Sequence, residues 1–162
     1  MSCKLLTLAA ALLLPLSVQA ADIPKEGAVN FTFAWVVVSS TNIQQGTPSF
    51  DTYDLVGVTR NDAGGPMFDF FGARCVGADE VSGPGKSTTR GTCTWTDTDG
   101  DNIFTPYSGT AQHGTLELAG GTGKFAGITG NGEWSRLNPA PIKSDDKRPR
   151  AVNSLKVNWK LP

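Results

Sequence analysis

The sequence predicts an all-β protein: a closed, eight-stranded antiparallel up-and-down barrel with one cross-strand disulfide. Three observations favour this fold class. Apolar residues alternate at period two in several segments, turn signals separate those segments at short intervals, and helical periodicity is absent. Glycine supplies 19 of the 162 residues without a collagen-like repeat, in a chain rich in Val, Phe, Trp and Thr, so many tight turns between strands are expected. This composition excludes a helical bundle.

The N-terminal residues 1–20 have the pattern of a secretory signal peptide. Lys4 supplies the positive charge, an apolar run follows from Leu5 to Leu16, and Val18-Gln19-Ala20 is a small-x-small cleavage site. The apolar run is shorter than the roughly 20 residues that a membrane span needs. We therefore expect a signal peptide at 1–20, a single barrel domain at 21–162 and a periplasmic or extracellular location.

The charge balance limits the classes of partner. The formal net charge is −1, so the chain lacks the basic surface with which nucleic-acid binders neutralise phosphates. A nucleic-acid partner is excluded on this ground, and no membrane span is expected.

The first and last strands are the clearest elements. In each of them the apolar residues occupy one face at period two, which indicates half-buried strands, near 29–37 and 155–161. A sandwich is the alternative to a barrel, but it would leave these two strands as exposed edges, whereas closing them on each other removes both edges. Six further strands are predicted between them, near 51–60, 66–76, 89–97, 102–110, 113–119 and 131–137.

The segment Met67-Phe68-Asp69-Phe70-Phe71 places aromatic residues on both faces of the predicted third strand. One face can fill the lumen, and the other can cover a contact between copies of the chain or a short flanking helix. In the alternative interpretation, one of these aromatics packs under a loop. A homo-oligomer is thus one expectation from this segment.

Two cysteines remain after the leader, Cys75 and Cys93. Their midpoint is Pro84, at the centre of the turn signal Ser82-Gly83-Pro84-Gly85, so an antiparallel hairpin folded there places the two cysteines opposite each other. An even pair in an exported chain favours a disulfide. A redox pair or metal site is the alternative, but the chain has no C-x-x-C and no third ligand near the pair.

The segment from Asn138 to Arg150 is too polar and too interrupted by proline to be a strand or helix. A long loop at a barrel mouth often acts as a lid. Its basic residues could attract an anion, although two aspartates offset half of their charge, and a solvated loop is the alternative. The residues concerned are Lys143, Lys147, Arg148 and Arg150, with Asp145 and Asp146.

Asp97, Asp99 and Asp101 resemble the opening of a calcium-binding loop, because they place carboxylates at its first, third and fifth positions. Ser108 stands where such a loop has its glutamate, so a hairpin turn in which aspartates cap backbone N–H groups is the alternative. Weak Ca²⁺ binding at this metal site is the one cofactor considered.

Catalytic motifs are scarce. His113 is the one histidine, and the chain has neither a G-x-S-x-G elbow nor an H-E-x-x-H motif. No catalytic residue is assigned. Acidic residues within strands could serve as acid or base groups inside the barrel, where burial would raise their pKa, or they could face solvent. These residues are Asp54, Asp69, Glu117 and Glu133.

The run from Gly120 to Gly132 lacks the spacing of a phosphate-binding loop, since Leu118 and Ala126 stand where glycines are required. Its opening, Gly120-Gly121-Thr122-Gly123-Lys124-Phe125, resembles the GGTG-x-F segment of dirigent proteins, whose fold is shared with allene oxide cyclase. Similar segments occur in exported bacterial proteins. The resemblance implies an antiparallel barrel, often a trimer, with a hydrophobic cavity for a lipid or phenolic compound.

Three functions follow as alternatives. In the first, the barrel cavity binds a small apolar or aromatic molecule. In the second, the protein is a cyclase- or isomerase-like enzyme that uses an acidic residue in that cavity. In the third, the lumen is packed and the outer surface binds a partner. For the first, the candidate ligand-binding residues are Phe31, Phe33, Trp35, Trp95, Trp134 and Trp159.

Overall fold

The computed structural model of the chain describes residues 23–44, 46–138, 142 and 145–162. The expected signal peptide at 1–20 lies outside the described residues. Within these ranges no helix combines the length and apolar content that crossing a membrane requires.

Eight antiparallel strands form a closed barrel in which each strand pairs with the next along the chain and the first pairs with the last. This architecture confirms the predicted fold class. The closure leaves neither β1 nor β8 as an edge, which was the reason for preferring a barrel to a sandwich. The strands are β1 (Glu26–Gln44), β2 (Ser49–Asn61), β3 (Gly72–Gly83), β4 (Lys86–Thr96), β5 (Asn102–Gly109), β6 (His113–Leu118), β7 (Thr129–Arg136) and β8 (Arg150–Lys160).

The two ends of the barrel differ. The connections β1–β2, β3–β4, β5–β6 and β7–β8 lie at one end, which we call the mouth. The other three connections lie at the opposite end, which we call the plugged end. Residues at alternate positions of each strand face the lumen, as the pleat requires.

The β2–β3 connection closes the plugged end, and here the predicted third strand at 66–76 is wrong. The strand begins only at Gly72, because Phe68 and Phe70 have φ values of 56° and 55°, a left-handed conformation that interrupts a strand. The segment instead turns under the barrel, where Phe68 is buried and stacks on Phe31 at a centroid distance of 4.4 Å. Phe70 remains 59% exposed.

Five aromatic rings fill the half of the lumen nearest the plugged end. The edge of Trp95 meets the Phe31 and Phe68 rings at 5.9 and 5.8 Å, arrangements that aromatic pairs favour. Phe71 continues the cluster to Phe125, with a centroid distance of 5.7 Å. The chain's own side chains therefore occupy the plugged half of the barrel.

The β3–β4 hairpin carries the predicted disulfide. Cys75 and Cys93 are directly opposite in the register, are bonded to each other, and have Cα atoms 4.0 Å apart. The turn lies between Gly83 and Lys86, and Gly85 has a φ of 68°, which glycine adopts without a steric penalty. Both the disulfide and its turn are confirmed.

The β4–β5 turn at the plugged end holds the three predicted metal ligands. Asp97 Oδ1 accepts hydrogen bonds from the backbone N–H groups of Asp99 and Asp101, both at 2.9 Å. Lys124, in the short 3₁₀ turn after β6, places its Nζ 2.5 Å from carboxylate oxygens of both Asp97 and Asp99. Burial acts to raise the pKa of Asp97, but Lys124 and the two backbone N–H groups lower it below its usual value. An ammonium group thus supplies positive charge among these carboxylates.

Removal of the disulfide should destabilise the barrel. The bridge closes a loop with a sequence separation of 18, and the chain-entropy relation gives a loss of about 3 kcal/mol for the double variant Cys75→Ala/Cys93→Ala. Urea unfolding measures this difference. Intact-mass spectrometry before and after reduction provides the control, with an expected gain of two hydrogens in the wild type. An unchanged unfolding free energy in the double variant would contradict the assignment.

Substitution of Lys124 by methionine should destabilise the protein by about 1–2 kcal/mol, because it removes the cation beside a buried carboxylate. The pKa of Asp97 is lowered in the folded state. The difference in unfolding free energy between wild type and variant should therefore have its full size above about pH 4 and should decrease as the pH falls below that value. Thermal unfolding at several pH values measures it, with the exposed Lys160→Met as the matched control.

The same unfolding experiment separates the salt bridge from the calcium alternative. With Lys124 between the carboxylates, the melting temperature of the wild type should be equal in calcium and in chelator. A higher value in calcium would instead support the metal site at Asp97, Asp99 and Asp101.

Candidate functional site

The lumen is open on the mouth side of the aromatic cluster. A cavity of ≈ 410 Å³ lies there, which is within the size range of small-molecule sites. Its wall includes both tyrosines of the chain and three of its four tryptophans. The residues that characterise it are Trp35, Trp95, Trp134, Tyr53, Tyr107 and Asp79.

Two glycines determine how the tyrosines lie in this cavity. The register aligns Tyr53 with Gly77, Gly77 with Gly91, and Gly91 with Tyr107 across β2 to β5. A Cβ atom at Gly77 would lie 2.6 Å from both tyrosine hydroxyls, and one at Gly91 would lie 2.4 Å from that of Tyr107. The two intervening strands therefore need glycine at these positions so that the rings can lie across them and their hydroxyls can meet.

The tyrosine hydroxyls begin a chain of hydrogen bonds that runs toward the mouth. The hydroxyls of Tyr107 and Tyr53 are 2.7 Å apart, and that of Tyr53 is 2.8 Å from Thr89 Oγ1. Thr89 lies directly opposite Asp79 in the β3–β4 register, and its nearby hydroxyl acts to lower the pKa of the Asp79 carboxyl. Burial raises the pKa of both tyrosines, so the two phenol groups stay protonated.

Asp79 has an environment suited to proton transfer. It lies directly opposite Asp51 across β2 and β3, and both residues line the cavity. Burial is the main cause that raises the pKa of Asp79, and the charge of Asp51 adds to it, while Thr89 and Arg136 act in the opposite direction. The carboxyl therefore keeps its proton to a higher pH than an ordinary aspartate.

The β7–β8 wall carries polar groups of a different kind. Arg136 lies over the Trp35 ring with its Cζ 5.3 Å from the ring centroid, and burial lowers the pKa of its guanidinium. Three buried atoms on this wall have no hydrogen-bond partner among the described residues: Trp134 Nε1, Arg136 Nε and Asn153 Oδ1. The strand register places Arg136 opposite Asn153, two residues along from Trp134. Two donors and one acceptor are thus available at this wall.

The floor of the cavity is mainly apolar. The Cys75–Cys93 disulfide, Leu155 and Trp95 form part of it, and the indole N–H of Trp95 is satisfied by Thr105 Oγ1 at 2.7 Å. Polarity therefore increases from the floor toward the mouth.

The six predicted ligand-binding residues divide into two groups. Phe31 lies below the cavity in the aromatic cluster. Trp159 lies toward the plugged end, packs over Gly27, and donates its indole N–H to the Pro24 carbonyl at 3.1 Å. The four that line the cavity are Phe33, Trp35, Trp95 and Trp134.

The four acidic residues considered as interior acid or base groups do not line the cavity. Asp54 accepts two hydrogen bonds from Arg74, which lower the pKa of its carboxyl, and Asp69 pairs with Arg60 at 3.2 Å. The other two, Glu117 and Glu133, are exposed.

Two acidic residues, Asp79 and Asp51, line the cavity, and neither is among the four acidic residues that the sequence predicts for the interior. The predicted third strand ended at residue 76, but the observed strand continues to Gly83. Extending the period-two alternation from Cys75 through Gly77 places Asp79 on the lumen face. A prediction that extended this strand past residue 79 would therefore have placed Asp79 among the inward-facing residues.

The remaining predicted features lie at the margins of the site. Pro149, from the loop between β7 and β8, lines the cavity at its mouth. Asp146 pairs with both Arg148 and Arg150, which reduces the positive charge that this loop offers to an anion. Lys143 lies outside the described residues. His113 is exposed at the start of β6.

The described residues contain no group of three His, Cys, Asp or Glu side chains arranged to hold a metal ion. Asp97, Asp99 and Asp101 lie at the plugged end, away from the cavity, where Lys124 pairs with two of them. Ca²⁺ binding stays a prediction for the melting experiment described above.

Comparisons with known proteins bear on the fold. No protein-family model matches the chain, and no curated protein matches it. Among solved structures, it is similar to the pterocarpan synthase dirigent protein GePTS1, with a TM-score of 0.51, 13% identity, and coverage of 94% of this chain and 100% of that one. It is also similar to the pterocarpan synthase dirigent protein PsPTS1, with a TM-score of 0.50, 13% identity, and coverage of 85% and 96%. The chain therefore has a dirigent-like barrel fold.

Proposed function

We propose that the protein binds a small, flat aromatic molecule in the cavity at the mouth of the barrel. The observation that carries this proposal is the ≈ 410 Å³ space walled by Trp35, Trp95, Trp134 and two tyrosines. Aromatic walls favour flat ligands through stacked and edge-to-face contacts. An apolar enclosure with a few polar groups is typical of ligand sites.

The distribution of polarity suggests the orientation of the ligand. Its apolar end would lie on the floor, against Trp95, Leu155 and the disulfide. An oxygen-bearing group would lie higher, where Trp134 and Arg136 can donate hydrogen bonds. Such a group would form hydrogen bonds with these buried polar atoms, which destabilise the protein when they have no partner.

A cyclase- or isomerase-like activity is the second candidate, and Asp79 is the specific observation that favours it. A carboxyl whose pKa is raised by burial can give a proton to a bound molecule and take it back. The enclosing walls would hold a reactive ligand in one conformation. For any ligand found, chemical conversion by the wild type and by the Asp79→Asn variant decides between binder and enzyme.

The third alternative, a packed lumen with all function on the outer surface, does not fit the open volume of the upper barrel. A homo-oligomer stays a prediction. The most exposed aromatic that could serve it, Phe70, is partly covered by the Arg60 guanidinium, 4.4 Å from its ring centroid.

We also propose that the protein is exported to the periplasm or the cell exterior. The Cys75–Cys93 bridge supports this location, because disulfides persist in oxidising compartments. The expected leader at 1–20 supports it independently.

Filling the cavity should weaken ligand binding without unfolding the barrel. The probe is 2-naphthol, a flat aromatic alcohol, and isothermal titration calorimetry measures its affinity. Leu116 is buried and lines the cavity, so Leu116→Trp should lower the affinity by about tenfold or more, equivalent to about 1.4 kcal/mol.

Leu137→Trp is the matched control. It adds the same side chain at a position that is 56% exposed and outside the cavity lining, so its affinity should equal that of the wild type. Binding to Leu116→Trp with the affinity of the wild type would place 2-naphthol elsewhere and would refute the proposal, as would the absence of saturable binding to the wild type.

A further inference from the structure

Four side chains from four different strands follow one another across the cavity wall. Tyr107 on β5, Tyr53 on β2 and Thr89 on β4 are joined by hydrogen bonds between their hydroxyls, and Thr89 lies directly opposite Asp79 on β3. Thr89 is 8% exposed and lies between the Tyr53 phenol and the Asp79 carboxyl. Its hydroxyl can donate one hydrogen bond and accept another at the same time.

A chain of hydroxyl groups that ends on a carboxyl has two orientations. When Asp79 is ionised it can only accept, so Thr89 donates to it, Tyr53 donates to Thr89, and Tyr107 donates to Tyr53. When Asp79 is protonated, every hydrogen bond can reverse, and the Tyr107 hydroxyl is then free to donate into the cavity. The observed distances accommodate both orientations, since either oxygen can be the donor in each hydroxyl pair.

We propose that Thr89 connects Asp79 to Tyr107, so that the protonation of Asp79 near the mouth sets whether the Tyr107 hydroxyl accepts or donates deeper in the cavity. Thr89 is a positioning residue in this account. It acts by passing the orientation of one hydroxyl to the next.

The same chain can transfer a proton. Asp79 gives its proton to Thr89, Thr89 gives its own to Tyr53, Tyr53 gives its own to Tyr107, and Tyr107 protonates the bound molecule. Asp79 loses one proton, the bound molecule gains one, and each hydroxyl is restored. A concerted shift avoids a tyrosinate, which burial disfavours. This use of the chain rests on the proposed cyclase- or isomerase-like function, whereas the reversal of the hydrogen bonds does not need a ligand.

The charged groups around Asp79 determine when the reversal occurs. Asp51 on β2 faces it across the register and favours the protonated form, whereas Arg136 on β7 favours the ionised form. Tyr53 and Tyr107 are the other titratable groups that interact with it. Replacing Asp51 should therefore lower the pH of the reversal without abolishing it.

The composition of the chain permits a direct test, because Tyr53 and Tyr107 are its two tyrosines. Protein labelled with ¹³C at the tyrosine ζ carbon gives one NMR signal for each. In the ligand-free wild type, both signals should shift with a common midpoint above pH 4, the ordinary range of an aspartate. The aspartate γ carbons, labelled in a second sample, report the ionisation of Asp79 itself.

Variants of Thr89 isolate its hydroxyl. In Thr89→Val, Asp79 should still titrate, but the Tyr107 signal should no longer shift with pH at that midpoint. Thr89→Ser, which keeps the hydroxyl, should restore this shift. Thr88→Val, on the exposed face of the same strand, is the matched control and should behave as the wild type. Asp79→Asn should remove the response of both tyrosines, and Asp51→Asn should keep it at a lower midpoint.

The outcomes decide the proposal. Loss of the Tyr107 response in Thr89→Val, with rescue in Thr89→Ser, supports it. An unchanged response in Thr89→Val would mean that charge acts through space, and no response in the wild type would mean that the chain does not reverse. Either result would overturn the proposal. Since the titration uses ligand-free protein, its failure is distinguishable from a failure of 2-naphthol binding.

Discussion

The contact between the two tyrosine hydroxyls above Gly77 and Gly91 is the constraint on which the cavity depends. Side chains larger than hydrogen at these glycine positions would collide with the hydroxyls, and the rings would have to leave the wall. Their position leaves space above the disulfide and the aromatic cluster, and it brings Tyr53 within hydrogen-bond distance of Thr89. The position of the two tyrosines therefore affects both the size of the cavity and the polarity of its wall.

The division of the lumen into two halves follows from the β2–β3 connection. Phe68 and Phe71 turn under the barrel and fill the plugged end, so an eight-stranded barrel that could be packed throughout is packed only in its lower half. Where the strands approach the mouth, polar side chains such as Asp79, Thr89 and Arg136 join the aromatic rings on the inner wall. A ligand would therefore enter at one end and meet an apolar floor.

The fold could be predicted from the sequence because period-two alternation and turn residues are local signals. The Pro84 turn and the spacing of Cys75 and Cys93 even gave the register of one hairpin. The cavity residues were harder to predict, because which inward-facing residue meets a partner depends on strand ends and on non-local pairing. Asp79 lay beyond the predicted end of its strand. Similarly, Lys124 lies far along the chain from Asp97, so the ion pair between them could not be predicted from the acidic turn alone.

The central claim is that the upper lumen is a binding site for a flat aromatic molecule. A crystal structure of the protein soaked with 2-naphthol tests this claim most directly. It should show the ring between Trp95 and Trp134, with the hydroxyl within hydrogen-bond distance of the β7–β8 wall. Side chains that fill the upper lumen, or 2-naphthol bound only on the outer surface, would contradict the account.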